Sequence, residues 1–173
     1  MTPKELNNLV RKLQNGDMAV FDAIYYETKS FVYYTILQIV KDRSLAEDLM
    51  QDTYLKGLEK IHSFKATYSF KSWLVMIARN LAINEYNRRK RELSFDPNED
   101  EYIFGTVESG SEKQLIVKEM LELLKPEEQE IVILHVIGDL KHREIAAMLG
   151  KPLGTITWTY NQAINKLREY ERE

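Results

Sequence analysis

Leu140-Lys141-His142-Arg143-Glu144-Ile145-Ala146-Ala147-Met148-Leu149-Gly150, followed by Gly154-Thr155-Ile156-Thr157 and a second amphipathic run to Leu167, decides how the last quarter of this chain folds. Two short helices broken by a Gly-containing turn, the second opening on Gly-Thr, make the pattern of a helix-turn-helix. In the first helix Ile145, Ala146 and Leu149 share one face, and the small Ala146 lets the second helix cross closely. In the second, Ile156, Tyr160, Ala163, Ile164 and Leu167 form the inward stripe. Thr157, Trp158, Asn161, Gln162 and Asn165 are left facing outward, where the major groove of a duplex would meet them. The pattern points to DNA.

The same helical spacing extends back through the chain. Glycine is scarce, with 7 in 173 residues, strand-like alternation is absent, and the whole chain reads as all-α. Thr2-Pro3-Lys4-Glu5 is a capping box with proline at the first helical position, and it opens a helix to about Gln14. Gly16-Asp17 ends that helix and starts a long apolar one through Phe21, Ile24, Tyr25, Phe31, Tyr34, Leu37 and Ile39. Asp42-Arg43-Ser44 reads as a turn, with Ser44 capping a third helix and Glu47 completing a second capping box. That helix is expected to run to about Ile61, and after a loop over 62–68 a fourth runs from Ser69 to about Lys90.

Composition then changes. Residues 92–111 hold Pro97, Gly105, Gly110 and the acids Glu92, Asp96, Glu99, Asp100, Glu101 and Glu108, with no Lys or Arg, which is the composition of a flexible acidic linker. Helices are expected again over 112–124, 126–137, 141–149 and 154–170, with Pro126 in a first turn where its missing N–H costs little. The expected organisation is two small helical domains, 1–91 and 112–173, joined by the acidic linker 92–111, the second domain carrying the helix-turn-helix.

The formal net charge of −3 hides this division. Residues 1–91 carry 15 basic against 10 acidic side chains, with Arg79, Arg88, Arg89, Lys90 and Arg91 toward their end, while 113–173 are close to neutral. The absence of cysteine excludes a disulfide framework and a cysteine-based zinc site and fits a reducing cytosol. His62, His135 and His142 are scattered without ligand spacing, so neither a metal nor another cofactor is expected. No Gly-rich phosphate loop and no nucleophile–base pairing is visible, so the chain does not read as an enzyme. No apolar core of a signal peptide and no membrane-spanning run occurs, and a cytoplasmic location is expected.

Three segments together carry a family likeness. They are Leu45-Ala46-Glu47-Asp48-Leu49-Met50-Gln51-Asp52-Thr53-Tyr54-Leu55-Lys56, Phe70-Lys71-Ser72-Trp73-Leu74-Val75-Met76-Ile77-Ala78-Arg79-Asn80-Leu81-Ala82-Ile83-Asn84, and the final helix-turn-helix with Gly154-Thr155-Ile156. In this order and spacing the chain resembles a bacterial sigma-70 family RNA polymerase sigma factor, and its two-domain length resembles the extracytoplasmic-function (ECF) group. A helix-turn-helix alone is shared by many regulators and would not make the match.

The resemblance implies a division of labour. The first segment is similar to the helix that docks on the β′ clamp helices of core RNA polymerase, which assigns polymerase binding to Glu47, Asp48, Gln51 and Asp52. An acidic, amide-bearing face suits Arg-rich partner helices, although by itself it also reads as a solvated helix face. The second resembles the part that melts and reads the −10 promoter element. Phe64, Lys65 and Tyr68 in the preceding loop would receive an unstacked base, Asn80, Asn84 and Asn87 would read base edges, and Arg88, Arg89 and Arg91 would hold phosphates. Trp73 is read as core, on an apolar stripe with Leu74, Ile77, Leu81 and Tyr86. The acidic linker resembles the segment that threads past the polymerase active site, where its charge would imitate a nucleic acid strand, and equally reads as acids that keep a linker solvated.

The third segment implies contact with the −35 element through Lys141, Arg143, Thr155, Thr157, Trp158, Asn161, Gln162 and Lys166, with Lys151 nearby. Here the chain departs from the family pattern, because Thr157, Thr159 and Gln162 stand where basic residues are common. The phosphate contribution should therefore be smaller, while Asn161 and Gln162 suit adenine and the Thr methyls suit thymine. The expected partners are core RNA polymerase, promoter DNA and an anti-sigma factor, with no membrane insertion. An interaction protein that binds polymerase or an anti-sigma factor but has weakened −35 recognition is the alternative.

Overall fold

Thr2 sets the first helix. Its backbone N–H donates to Glu5 Oε2 at 2.7 Å and Glu5 N–H donates to Thr2 Oγ1 at 3.2 Å, the reciprocal pairing expected of a capping box. In this computed structural model, which describes residues 1–67, 69–93 and 119–172, α1 spans Pro3–Gln14, α2 Phe21–Val40, α3 Arg43–Glu59 and α4 Phe70–Glu92. Short 3₁₀ turns over Met18–Val20 and Ile61–Ser63 lead into α2 and out of α3. All regular structure among the described residues is helical, as expected. The chain falls into two units, Met1–Phe104 and Gly105–Glu173.

In the first unit α2 packs on α3 and α4, and α1 closes one side. The core holds Leu6 and Val10 of α1, Ile24, Val32 and Ile36 of α2, Ala46 and Leu49 of α3, and Leu74, Ala78 and Ala82 of α4. Close approach of α3 and α4 uses Gly57, where a Cβ would lie 3.3 Å from Leu74 Cδ1. Gln14 ties the end of α1 to the turn after α3, donating to the carbonyls of Ile61 at 2.8 Å and Phe64 at 3.0 Å.

Two details differ from the sequence reading. Asp42, not Ser44, caps α3: Lys41 is left-handed (φ 56°), the chain reverses there, and Asp42 arrives extended with Oδ1 accepting from Leu45 N–H at 3.0 Å. Ser44 already lies inside the helix, and Glu47 pairs with Arg43 at 3.3 Å one turn back. On α4 the buried face is Phe70, Leu74, Val75, Ala78 and Ala82, whereas Tyr86, expected on the apolar stripe, is 46% exposed. Small residues meet α2 and α3, and Trp73 and Leu81 pack at the margin of the core.

In the second unit residues 119–122 are helical, α5 spans Pro126–Val132 with Pro126 in its first turn, α6 spans His142–Leu149 and α7 spans Leu153–Tyr170. The helix expected over 112–124 lies in part outside the described residues, as do 94–111 of the expected linker. Gln129 stitches the start of the unit, donating to the carbonyls of Leu121 at 2.7 Å and Leu124 at 3.1 Å. Beyond α5 the backbone widens into a π-helical turn over Ile133–Ile137, and Asp139 (φ 56°) reverses the chain. Gly150, left-handed at φ 63°, ends α6. Ile145 and Ala146 of α6 and Ile156, Ala163 and Leu167 of α7 are buried as expected, while Leu149, Tyr160 and Ile164, also expected inward, are partly buried.

Candidate functional site

Three surfaces carry the residues singled out by sequence, two on the first unit and one on the second. On α3 the buried side is Ala46, Leu49, Thr53, Tyr54 and Gly57, which turns Glu47, Asp48, Gln51 and Asp52 together to solvent. Asp48, Gln51 and Asp52 have no side-chain partner among the described residues. The face therefore has unused acceptors that a partner's cations could reach. Leu55, one turn on from Gln51 and Asp52, is 61% exposed and sets an apolar side chain beside the acids, which the sequence reading missed. Its spacing to the acids was the available signal.

On α4, Asn80, Asn84 and Asn87 are exposed, and Asn84 and Asn87 line a shallow depression with Lys90 and Arg91. The cations beside them are differently placed from what charge alone suggests. Arg88 donates through Nη2 to Glu85 Oε1 at 2.6 Å, through Nε to Glu85 Oε2 at 2.9 Å, and through Nη1 to Glu92 Oε1 at 2.7 Å. Arg89 reaches Glu85 Oε1 and, through Nη1, Asp42 Oδ2, both at 3.2 Å. Hydrogen bonding from Arg88, with Arg89 assisting, holds the Glu85 carboxyl down to about 2, and Glu85 together with Glu92 raises the Arg88 pKa. Arg88 and Arg89 are thus paired with carboxylates instead of being open to phosphate. The spacings 85 to 88, 85 to 89 and 88 to 92 would have shown this in the sequence. Lys90 has no partner among the described residues.

The loop before α4 needs a larger correction. Phe64, expected to receive a base, is 4% exposed and packs against Phe70 and Trp73, with ring centroids 5.3 Å and 5.6 Å away. It is a core residue, because the 3₁₀ turn at Ile61–Ser63 directs its ring inward. Lys65 is exposed, and Tyr68 lies outside the described residues.

On the second unit, Thr155, Trp158, Asn161, Gln162 and Asn165 of α7 are exposed, Trp158 by 64%. Thr157 is only half exposed and its Oγ1 lies 3.2 Å from His142 Nδ1. Thr159 is buried and cannot be part of an outward face. Lys141 and Arg143 are exposed at the start of α6. Lys166 instead lies 2.8 Å from both oxygens of the buried Glu128, and Lys151 pairs with Glu127 at 3.0 Å, so these two are not open phosphate contacts. Burial alone would raise the Glu128 pKa, but Lys166 and the Lys125 backbone N–H outweigh it and keep it below the usual value.

Two histidines read as scattered are in fact neighbours. The His135 and His142 rings lie 4.6 Å apart at a 56° tilt, and both pack on Tyr160, at 4.7 Å and 4.8 Å. His135 Nδ1 lies 2.7 Å from the Leu140 carbonyl, which can only accept, so that nitrogen carries the proton. Burial and the adjacent His135 lower the His142 pKa. The described residues contain no group of three or more His, Cys, Asp or Glu arranged to hold a metal ion, and no helix long and apolar enough to cross a membrane.

Residues 24–92 match the family described as Sigma-70 region 2, and residues 114–167 match Sigma-70, region 4. The chain belongs to the sigma-70 family. Among its relatives, the factor is 32% identical over 170 residues to the ECF RNA polymerase sigma factor BldN of Streptomyces coelicolor, an alignment covering 92% of this chain and 63% of that protein. It is 31% identical over 147 residues to the RNA polymerase sigma factor YlaC of Bacillus subtilis, covering 73% of this chain and 82% of that one. The fold resembles that of the sigma factor RpoE of Bartonella quintana, solved in complex with the anti-sigma factor NepR. The TM-score is 0.67 at 25% identity, over 88% of this chain and 96% of that one. As a sigma factor of the ECF group, it is a promoter-directing subunit of transcription initiation and a regulatory protein.

Proposed function

We propose that this factor divides its work by domain. Residues 1–91 bind core polymerase and open the −10 element, 92–111 connect, and 112–173 contact the −35 element. The observation that carries this reading is the open acidic and amide face of α3, on the same unit as the Asn-lined depression of α4 and within the region 2 match. Asp48, Gln51 and Asp52, with Glu47 beside them, take the β′ clamp helices. Asn80, Asn84 and Asn87 read the −10 strand, with Lys65 and Arg91 toward phosphates and Arg88 and Arg89 released from their carboxylates when the strand arrives. Exposed ion pairs are weak enough for that exchange. Phe64 supports this surface from the core without touching a base. In the second domain Thr155, Trp158, Asn161 and Gln162 face the −35 bases, with Lys141 and Arg143 toward phosphate. Chemistry is left to polymerase, and the factor acts in the cytoplasm where polymerase and promoter are.

An anti-sigma partner is part of the proposal, supported by the RpoE relative solved with one. The experiment is start-site mapping after overexpression, followed by run-off transcription from the mapped promoters with purified core polymerase. Promoter-specific transcripts that require the factor are expected. Stable binding to core polymerase with no transcript from any mapped promoter would instead favour the interaction-protein reading, which the uncharged face of α7 supports.

A further inference from the structure

The recognition helix of this factor lacks the groups that usually dominate affinity for DNA and keeps those that discriminate between bases. From Leu153 to Asn165 the sequence contains no Asp, Glu, Lys or Arg, so the N-terminal part of α7, which would enter a groove, carries no charge, and the exposed Arg168 stands near the helix's far end. The nearest cations on either side, Lys151 and Lys166, are bound to Glu127 and Glu128. Thr155, Trp158, Asn161 and Gln162 recur at three and four along one exposed side, and none of them has a side-chain partner among the described residues.

What such a face can read follows by elimination. Guanine is read chiefly by a bidentate Arg or Lys, and cytosine N4 donates to a carboxylate. Neither type is present on this face. The amides of Asn161 and Gln162 each offer a donor and an acceptor in the geometry of adenine N6 and N7. The Trp158 ring and the Thr155 methyl offer an apolar surface that matches the C5-methyl of thymine. Unused amide donors and acceptors beside one exposed ring suit base edges better than an apolar protein surface, which would leave them unpaired.

We infer that the factor selects −35 elements built of A·T pairs, with Asn161 and Gln162 as the adenine readers and Trp158, flanked by Thr155, as the thymine contact. This rests on the reading of the C-terminal domain as the −35 contact. The test uses holoenzyme assembled from the full chain and core polymerase, which selects from a promoter library with a fixed −10 element and a randomised −35 segment. Trp158→Ala, Asn161→Ala and Gln162→Ala are selected in parallel, with circular dichroism confirming that each variant stays folded.

Wild type should enrich A·T over G·C about tenfold or more at two or more −35 positions. Trp158→Ala should lose thymine preference at one of them, and Asn161→Ala or Gln162→Ala adenine preference at another. Enrichment of G·C pairs, or an A·T preference unchanged in all three variants, overturns the inference and leaves −35 contact standing. A library that shows no −35 preference at all overturns the −35 reading itself. If Trp158→Ala abolishes binding of a protein partner and leaves base selection intact, the face belongs to that partner and the inference fails.

Discussion

The end of α4 carries four consecutive cations, Arg88, Arg89, Lys90 and Arg91, whereas the outward face of α7 carries none from Leu153 to Asn165 and meets its first exposed one at Arg168. On composition one surface is strongly cationic and the other is neutral. The structure narrows that gap, because Glu85 and Glu92 hold Arg88, and Glu85 and Asp42 hold Arg89. Under the proposed function the α4 surface would meet a strand by exchanging carboxylates for phosphates, and the N-terminal part of the α7 face would meet a groove with nothing to exchange. A cation count from sequence therefore measures capacity, and pairing decides how much of it acts. The two surfaces should differ less in affinity than in how they respond to salt.

The acidic face of α3 calibrates that contrast, since Asp48 and Asp52 are charged and unpaired among the described residues. Asp48→Lys with Asp52→Lys should weaken binding to core polymerase about a hundredfold or more, the equivalent of about 3 kcal/mol at a desolvated charged interface. An unchanged affinity in a titration of labelled factor with core polymerase would remove α3 from the docking surface.

Charging the neutral helix should have the next largest effect. Thr157→Lys with Gln162→Arg should tighten binding of −35 duplex by about tenfold at low salt and steepen the salt slope by about 0.9 for each phosphate neutralised. Preference at the base facing residue 162 should move toward guanine, which Arg reads bidentately. Thr159 is left out of this substitution because it is buried, and an Arg there would disrupt packing. Competition between promoter and scrambled duplex checks both effects, and a slope that stays flat would mean that α7 does not lie against DNA.

A smaller, few-fold change is expected from unlocking the α4 end. Glu85→Gln should strengthen binding of a single-stranded −10 oligonucleotide and steepen its salt dependence by about 0.7 for each additional phosphate contact. Arg88→Ala should flatten that dependence and lower open-complex formation with core binding intact. Permanganate footprints as strong as wild type in Arg88→Ala, together with no change in Glu85→Gln, would show that these pairs do not compete with the strand.

The smallest effect is on pH. The His142 pKa is lowered in the folded unit by burial and by His135, so the unfolded chain takes up the proton more readily. This group's stabilisation is fully present above the unfolded value of about 6.5 and is lost as pH falls through the lower folded value. Hydrogen exchange of α7 amides in the full chain should report reduced protection below that window, and His142→Phe should remove this part of the dependence. Equal loss in the variant would place the titration elsewhere.

Helices, their order and the helix-turn-helix faces were legible because they rest on local rules: the reciprocal Thr2–Glu5 pair, Pro126 in a first turn, and the Ile156, Ala163, Leu167 stripe. The errors arose mainly where the backbone leaves regular geometry. Lys41 in the left-handed region moved the α3 cap from Ser44 to Asp42. A 3₁₀ turn sent Phe64 inward to Phe70 and Trp73, contacts that no helical periodicity connects. The π-helical turn and the left-handed Asp139 brought His135 beside His142. Tyr86, expected on the apolar stripe, is exposed, while the small Ala78 and Ala82 are fully buried. Of the candidate site, the acidic face was readable from spacing and the paired state of Arg88 could have been. The Glu128–Lys166 contact, 38 residues apart, could not.

Asp42 serves two helices with separate atoms. Oδ1 accepts from Leu45 N–H and starts α3, while Oδ2 accepts from Arg89 near the end of α4. The two contacts use different atoms, so under the proposed function Arg89 would be able to leave for a phosphate while Oδ1 keeps its hydrogen bond and α3 stays wound. One carboxylate thus joins the first turn of α3 to the last turn of α4, and a substitution at Asp42 would disturb both surfaces at once.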